Sequence, residues 1–493
     1  MRRPAFAVLG LLAACTVGPD YKSPTAPAAS GYTPAPLPAA TASADAPVGA
    51  AQRFVADMDI PGQWWTLFHS ENLNRLIEQS LKANSTLTGA QAALRQAREN
   101  VYAQQGAYYP SLSLGLSGSR NLTPIKALSV ASGSGSPYYS LITPQLNVSF
   151  VPDVFGANRR AVESLEAQED NQRFQLEATY LTLTSNVAAA AIQEALLRGQ
   201  LDAVQATVKI ETDLLGILRR QLALGQVAGV DMAAQEAALA QAQQALPPLQ
   251  KQLEQQRDLL AALTGRMPSE QPAETFELAG LVLPVELPVS LPAKLVAQRP
   301  DVQAAEASLH AASAQIGMAV AARFPQITLT GTVGNSANQI ASLFTPGTNF
   351  WTIAAGLTQP IFEGGTLLHK QRAAEAGFDQ ASAQYRSTVL TAMQNVADTL
   401  HALQSDADAL QAAVAAERAA GRTLTITRRQ LELGQIAYLA LLNAQQTYQQ
   451  ALLTLVQAQA SRLADTVALF QALGGGWWNR TDVVAAGDVT PAR

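Results

Sequence analysis

The chain has 493 residues, enough for several ordinary domains, but only 14% of them are charged, against roughly 25% in typical soluble proteins. A net charge of −5 provides no basic surface and argues against nucleic acid as a partner. No run of about 18 apolar residues is present, which excludes a membrane-spanning helix, whereas a transmembrane β-barrel of short alternating strands stays open.

The N-terminus has the pattern of a secreted lipoprotein. A positively charged start and an apolar stretch precede residues 12–15, which read Leu-Ala-Ala-Cys, and Cys15 is the sole cysteine. We predict a signal peptide over residues 1–14. The ending resembles a bacterial lipobox, in which Cys15 is acylated; the alternative is an ordinary signal peptide with an incidental cysteine. Thr16 in place of an aspartate suggests, by resemblance to bacterial lipoproteins, sorting to the outer membrane.

The next elements change from an aperiodic segment to helices and then to strands. Residues 15–60 are rich in Pro, Ala, Ser and Thr, which predicts an extended, lipidated tether. Apolar spacing predicts helices over about 64–82 and 86–108. Apolar residues then alternate with small or polar ones in four segments. These residues are Leu112, Leu114, Leu116; Leu146, Val148, Phe150; Ile327, Leu329, Val333; and Ile353, Ala355, Leu357.

The four strands form two predicted hairpins, over about 111–151 and 326–361. A proline stands at the helix-facing end of each strand, where it can continue neither a ladder nor a helix. These prolines are Pro110, Pro152, Pro325 and Pro360. Four strands cannot close a barrel, and open edges are not viable in lipid, but three copies would give twelve strands. The alternative is a pair of ordinary soluble hairpins.

Each strand hairpin precedes a very long helical segment, about 156–224 and about 366–433, which spans roughly 100 Å at 1.5 Å per residue. Apolar residues at alternating three- and four-residue steps predict coiled-coil packing. With their return helices, these segments form predicted helical hairpins over about 156–265 and 366–472. The proline-rich stretch 267–298 is predicted to be an irregular crossover.

An internal duplication organises the chain. Residues 219–231 read RRQLALGQVAGVD, and residues 428–440, which lie 209 positions later, read RRQLELGQIAYLA. A match at one fixed offset predicts two structural repeats, which we assign to residues 61–280 and 281–475, followed by a C-terminal tail at 476–493.

The sequence carries no recognisable catalytic or metal-binding motif. The four histidines are scattered, and no HExxH motif, nucleophile elbow, P-loop or dinucleotide fingerprint is present. We therefore predict a protein that is not an enzyme and that needs neither a cofactor nor a metal. The histidines are His69, His310, His369 and His401.

Several short motifs occur in one characteristic order. They are residues 15–21 (CTVGPDY), 298–301 (QRPD), 324–325 (FP), 359–362 (QPIF), the two RRQL turns and 472–477 (ALGGGW). In this combination the chain resembles the TolC-type outer membrane factors, in particular the OprM/NodT-like lipoprotein branch.

The resemblance implies an α+β membrane protein. In this family a homotrimer forms a 12-stranded outer-membrane β-barrel, with four strands per chain, continuous with a long α-helical coiled-coil barrel in the periplasm. The implied function is the exit duct of a tripartite efflux system. Drugs or other small molecules pass from an inner-membrane pump of the RND type, through a periplasmic adaptor, to the cell exterior.

Two other functions stay open at this point. A periplasmic adaptor can also be a lipoprotein with a helical hairpin, but adaptors have one hairpin and lipoyl-like β segments. A related channel could instead serve type I protein secretion. Gene neighbourhood would distinguish the pumps of the two export systems.

By resemblance, the two RRQL turns are helix tips that dock the adaptor. The docking residues implied are Gly225, Gln226, Val227, Ala228, Gly434, Gln435, Ile436 and Ala437. The simpler alternative is that the two glycines only cap their helices. Just beyond the tips lies the implied periplasmic gate, with Leu439, Asn443 and Asp231.

The gate departs from the family pattern. Ala440 and Asn443 stand where relatives often carry acidic residues, and Leu431 and Ile436 replace polar latch residues. We predict a gate held by apolar packing at Leu439 and by hydrogen bonds of Asn443. Asp231 has possible salt-bridge partners in the arginines of both turns, which are Arg219, Arg220, Arg428 and Arg429.

Overall fold

The computed structural model describes residues 16–29, 31–122 and 138–480, so the predicted lipidation site Cys15 lies outside the described residues. The helices are α1 (Glu71–Ala83), α2 (Ser85–Gln105), α3 (Ala157–Ala223), α4 (Gly229–Gln244), α5 (Leu246–Leu263), α6 (Pro292–Gln298), α7 (Pro300–Ala321), α8 (Thr366–Glu432) and α9 (Tyr438–Ala472). The strands are β1 (Arg53–Ala56), β2 (Ser111–Leu122), β3 (Tyr138–Phe150), β4 (Glu286–Val289), β5 (Gln326–Asn335) and β6 (Asn349–Thr358).

The chain forms two compact units, and each takes residues from both sequence repeats. Of the described residues, the first unit contains those up to Pro24 together with those in Ala93–Gln172 and Ala305–Tyr385. The second contains the described residues of Thr25–Ala92, Arg173–Ala304 and those from Arg386 to Arg480. The long helices α3 and α8 begin in the first unit and end in the second.

The first unit contains a four-stranded antiparallel sheet in the order β2-β3-β5-β6. The two hairpins are joined through β3 and β5, where Val148 is opposite Gly331. β2 begins directly after Pro110 and β5 directly after Pro325, two of the prolines expected at the helix-facing strand ends. Leu114 on β2 is 81% exposed and Ile353 on β6 is 80% exposed, so the sheet presents an apolar face.

A second, smaller sheet lies in the segments that we predicted to be irregular. β1 and β4 pair in parallel, with the Arg53 amide donating to the carbonyl of Val285 at 2.7 Å. The predicted extended tether over residues 15–60 thus includes a paired strand at residues 53–56. Each strand has only four residues, too few to show an alternating pattern, and backbone hydrogen bonds alone define the pairing.

The core of the second unit includes a short 3₁₀ helix at Trp64–Phe68, whose aromatic side chains are buried. Trp64 stacks on Phe470 of α9 with the ring centroids 5.3 Å apart. The turn after α9 requires glycine at position 475, because its φ is +64° and a Cβ would lie 2.2 Å from Leu181. The glycine-rich C-terminal motif therefore closes this core.

The long helices α3 and α8 each contain 67 residues, or about 100 Å of helix. Their return segments differ. α9 is continuous over 35 residues, whereas the return in the first repeat is divided into α4 and α5. Pro247 and Pro248 explain the division, because proline has no amide hydrogen and clashes with the preceding turn. No helix of the described residues is long and apolar enough to cross a membrane.

Candidate helix tips and gate

The two predicted tips adopt the same backbone structure. In the first, the Gly225 amide donates to the carbonyl of Leu222 and the Gln226 amide to that of Gln221, both at 2.9 Å. The second tip repeats both hydrogen bonds 209 residues later, with the same distances. This pair of bonds is the Schellman motif, which satisfies the last carbonyls of a helix.

Gly225 and Gly434 have φ values of +70° and +68°, a conformation that disfavours any side chain. A Cβ at either position would meet no atom within 4 Å. The glycines are therefore required by the backbone conformation of the turn and not by a close neighbour. The capping role is explained by the structure; docking remains a separate prediction.

The tips meet around a cavity of about 970 Å³ in the second unit. Seven of the eight predicted docking residues line it, and Gln435 does not. A small apolar cluster packs beside it, formed by Leu218 of α3 with Tyr438, Leu441 and Leu442 of α9. The lining residues from the two turns are Gly225, Gln226, Val227, Ala228, Gly434, Ile436 and Ala437.

The three predicted gate residues have different surroundings. Asp231 lines the tip cavity, whereas Leu439 and Asn443 do not. Leu439 is 60% exposed and Asn443 is also exposed. The role of Leu439 and Asn443 in a gate therefore stays a prediction.

The arginines near the tips pair with glutamates. Arg219 approaches Glu236 at 3.3 Å, and Arg429 approaches Glu432 at 2.9 Å. Two of the four arginines considered as partners of Asp231 thus pair with glutamates on exposed helix surfaces. Exposed pairs of this kind contribute about 0–1 kcal/mol each.

A buried hydrogen-bond network near the tips was not predicted. The Tyr438 hydroxyl donates to Oε1 of Gln235 at 2.7 Å. Nε2 of Gln235 donates to Oε2 of Glu211 at 2.6 Å and to the Glu211 carbonyl at 2.7 Å. The network therefore links α3, α4 and α9, and we call it the Glu211–Gln235–Tyr438 network.

Burial governs the ionisation of this network. Gln235 is fully buried, and Glu211 and Tyr438 are nearly so. Burial raises the pKa of Glu211, and the hydrogen bond from Gln235 acts in the opposite direction. Burial also raises the pKa of Tyr438, as do the charges of Glu211 and Asp231. Both side chains therefore favour their neutral forms more than exposed groups do.

The sequence contained one sign of this network. Val208, Leu215 and Leu218 follow the three- and four-residue steps of the coiled-coil seam, and Glu211 occupies the intervening seam position. A carboxyl at a seam position needs a polar partner when it is buried. The spacing predicts that such a partner exists, but not which helix supplies it.

The first residues after Cys15 are held firmly in the first unit. The buried Arg160 side chain donates to the carbonyl of Val17 at 3.3 Å and to Asp20 at 2.7 Å. Gly18 has a φ of +96°, and a Cβ there would lie 2.4 Å from Cα of Gly317. The glycine thus permits a close approach of the N-terminal segment to α7.

Within the described ranges, no group of three or more His, Cys, Asp or Glu residues could hold a metal ion. The features that distinguish this chain are the paired tips, the long helices and the apolar-faced sheet.

Comparisons with known proteins agree with this description. A profile described as outer membrane efflux protein matches residues 76–266 and 291–475. The toluene efflux pump outer membrane protein TtgC of Pseudomonas putida is 30% identical over 476 residues, which cover 96% of this chain and 94% of TtgC. The pyoverdine export outer membrane protein OpmQ of Pseudomonas putida is 30% identical over 429 residues, covering 85% of this chain and 89% of OpmQ.

Among solved structures, the MtrE outer membrane channel of Neisseria gonorrhoeae matches with a TM-score of 0.80 at 27% identity. The match covers 95% of this chain and 100% of the MtrE chain. The fold is thus that of outer-membrane channels. The chain belongs to the outer membrane efflux protein family, and the predicted OprM/NodT-like resemblance is confirmed. Its predicted function as the outer-membrane channel of an efflux system is confirmed as well.

Proposed function

We propose that three copies of the chain form a tube that ends in a closed twelve-stranded barrel in the outer membrane. This proposal rests on the two edge strands of the four-stranded sheet. Within the described residues β2 and β6 each pair on one side only. Unpaired backbone groups are costly in lipid, so edges pair between copies, and four strands from each of three chains give twelve.

Aromatic side chains at the strand ends support the same assembly. Phe155, after the first hairpin, stacks on Phe324, before the second, with ring centroids 4.9 Å apart. The corresponding residues at the free ends are Phe362, which is 88% exposed, and Tyr109, which is 74% exposed. Because the two hairpins are copies, Phe362 of one chain packs against Tyr109 of the next.

Cysteine cross-linking tests this assembly. The natural chain has only Cys15, which acylation would block, so engineered thiols are unambiguous. We expect Tyr109→Cys combined with Phe362→Cys to give covalent trimers with a short bifunctional thiol reagent. The matched control, Phe155→Cys with Phe324→Cys, is expected to cross-link within one chain. Covalent dimers or trimers in the control only, or monomers in both, would contradict the proposed barrel.

The lipid anchor at Cys15 belongs to the same proposal. The segment after Cys15 is fixed by Arg160 close to the strand–helix junction, where the Val17 amide donates to the carbonyl of Phe155 at 3.3 Å. The segment that follows Cys15 therefore lies near the end of β3. This placement suits an acyl group at Cys15 if the end of the proposed barrel meets the membrane surface there. Intact mass measurement of the purified protein tests for the acyl groups, with Cys15→Ser as control.

The helical tube extends into the periplasm, and its tips dock the adaptor that leads to an inner-membrane pump of the RND type. The support is the 970 Å³ cavity between the tips, whose walls include Val227 and Ile436. Apolar side chains in such a recess suit the tip of a partner helical hairpin. Drugs or other small molecules are the cargo, and the channel is a homotrimer without nucleic-acid partners.

Adaptor capture tests the docking proposal. We expect Val227→Asp and Ile436→Asp to lose capture by the immobilised periplasmic adaptor, because each buries a charge in the recess. Met267→Asp serves as control, since Met267 is exposed and outside both tips. Retained capture by both tip variants, with trimers intact, would contradict docking at this cavity.

The gate is proposed to close where Leu439 from three copies converge, with Asn443 one turn away. The support is the position of Leu439, directly after Tyr438, whose hydroxyl is bonded to Gln235. The Glu211–Gln235–Tyr438 network thus fixes the start of α9, while Leu439 stays exposed for contacts between copies. Asp231 lies nearby in the tip cavity and contributes negative charge.

A further inference from the structure

The four-stranded sheet of the first unit has a polar face opposite its apolar one. Residues that pair across neighbouring strands lie on the same face of a sheet. Two rows of paired residues cross all four strands and contain only hydroxyl, amide or small side chains. One row is Ser113, Asn147, Thr332 and Thr352, and the other is Ser111, Ser149, Thr330 and Ala354. We call this side of the sheet the polar sheet face.

The polar sheet face carries no charged side chain within the described strands. β3, β5 and β6 contain no Asp, Glu, Lys or Arg, and β2 contains only Arg120. Arg120 is an even number of positions from Leu112, so it belongs to the apolar face. Charged residues return at the helix-facing ends of the strands, beyond their last residues. They are Asp153, Arg323 and Glu363.

Hydrogen bonds fix the amide near the middle of this face. Oδ1 of Asn147 accepts from Nε2 of Gln145 at 3.0 Å and from the Thr332 hydroxyl at 3.2 Å. Both bonds use the oxygen of the Asn147 amide, so its Nδ2 group is the part that can donate to a solute. The face thus presents neutral donors and acceptors in place of carboxylates or cationic groups.

We propose that the polar sheet face lines a charge-neutral passage through the barrel, which admits anionic and cationic solutes alike. This inference rests on the proposed trimeric barrel, in which the apolar face contacts lipid and the opposite face surrounds the lumen. Pores that sort ions by sign use rings of Asp and Glu, or of Arg and Lys. Three copies of each row give rings of hydroxyl and amide groups instead.

The proposal defines a class of cargo. Clefts lined by charge of one sign concentrate solutes of the opposite sign and repel the others. The described strands supply no such charge to the lumen, and the net charge of −5 is carried by other parts of the chain. Organic anions, which an acidic lining would repel, therefore pass the barrel as readily as organic cations of the same size.

Thiol chemistry on the reconstituted full-length protein measures the potential in the lumen. Ser113→Cys places a thiol on the polar sheet face, directly opposite Asn147. Its reaction rates with an anionic and a cationic methanethiosulfonate reagent are compared at low salt. We expect their ratio to lie within threefold of the ratio for 2-mercaptoethanol. The natural chain, whose only cysteine is Cys15, gives the background.

A control on the other face tests the barrel separately. Leu114→Cys lies on the apolar face, so we expect it to react at least tenfold more slowly than Ser113→Cys with both reagents. Equal rates at the two positions, or a native mass that is not that of a trimer, would contradict the barrel itself. A rate ratio at Ser113→Cys that departs more than threefold from the reference, in an intact trimer, would overturn only the neutral passage.

Introduced charges show that the assay responds to the lining. In the Ser113→Cys background, Asn147→Asp is expected to lower the ratio of anionic to cationic rates at least threefold, and Asn147→Lys to raise it. Both shifts should shrink in 1 M salt, where the screening length falls to about 3 Å. Ser149→Asp, diagonal to the thiol on the same face, is a second acidic variant if Asn147→Asp does not assemble. Shifts below threefold in every assembled acidic variant would refute the assignment of this face to the lumen.

Discussion

Tyr438→Phe offers the sharpest test of whether the Glu211–Gln235–Tyr438 network acts as a latch at the tips. Tyr438→Phe removes one hydroxyl and keeps the ring that packs with Leu218, Leu441 and Leu442. The Gln235 oxygen that accepts this hydroxyl at 2.7 Å then stays buried without that donor. An unsatisfied buried acceptor costs about 1–3 kcal/mol, more than the 0.5–1.5 kcal/mol of the bond itself.

That cost falls on the closed tip alone if opening separates α9 from α4 and admits water to Gln235. We therefore expect Tyr438→Phe to raise the ratio of open to closed channels by about 5- to 150-fold, from 1–3 kcal/mol at 1.36 kcal/mol per factor of ten. Single-channel recording in planar bilayers measures this ratio directly.

Two further variants make the test specific. In Gln235→Leu the acceptor is absent, so adding Tyr438→Phe is expected to change the open ratio much less than in the wild type. Tyr448→Phe is the matched control, since Tyr448 also lies on α9 but its hydrogen-bond partner is Glu417. An unchanged open ratio in Tyr438→Phe, or an equal rise in Tyr448→Phe, would refute the network as a latch.

Three other predictions follow from named contacts. Gly434→Ala is expected to lower the free energy of unfolding by about 1 kcal/mol, because φ is +68° at this position. Its control, Gly377→Ala inside α8, is expected to raise the free energy of unfolding by about 0.5–1 kcal/mol. Thermal unfolding compares the two variants. Leu439→Ala is expected to raise single-channel conductance if the exposed leucines of the three copies form the constriction. Unchanged conductance would argue against a constriction at Leu439. Arg160→Met is expected to expose residues 16–23 to protease at least tenfold faster, since Arg160 bonds Asp20 at 2.7 Å; equal cleavage rates would contradict this.

Much of the fold could be predicted because its patterns are long. Strands of 10 to 13 residues and helices of 67 residues carry enough periodicity to be recognised in a sequence. The division between α4 and α5 was signalled by Pro247 and Pro248 but was not predicted. β1 and β4 could not be predicted, since four-residue strands have no periodicity and Pro288 lies within one of them.

The site was less predictable, for a physical reason. The tip glycines could be predicted because a sharp helical turn requires positive φ, which is a local property. Which arginine pairs with which acid depends on rotamers of exposed side chains, so Glu236 and not Asp231 meets Arg219. The partner of Glu211 depends on which helix lies opposite, and a sequence pattern does not contain that information.

The differences between the two repeats concentrate in the polar contacts, and this bears on how a duplicated tube can move. Tyr438 corresponds to Gly229 at the 209-residue offset, and Arg462 corresponds to Leu253. The network and the hydrogen bonds of Arg462 to residues 48–52 therefore have no counterpart at the matching positions of the first repeat. The backbone of the tips, by contrast, is the same in both copies, down to the distances of the capping bonds. The capping hydrogen bonds that shape the tips occur in both repeats, whereas the polar contacts that restrain α9 occur in only one. The two hairpins are therefore alike in the backbone of their tips and unlike in the polar contacts of α9.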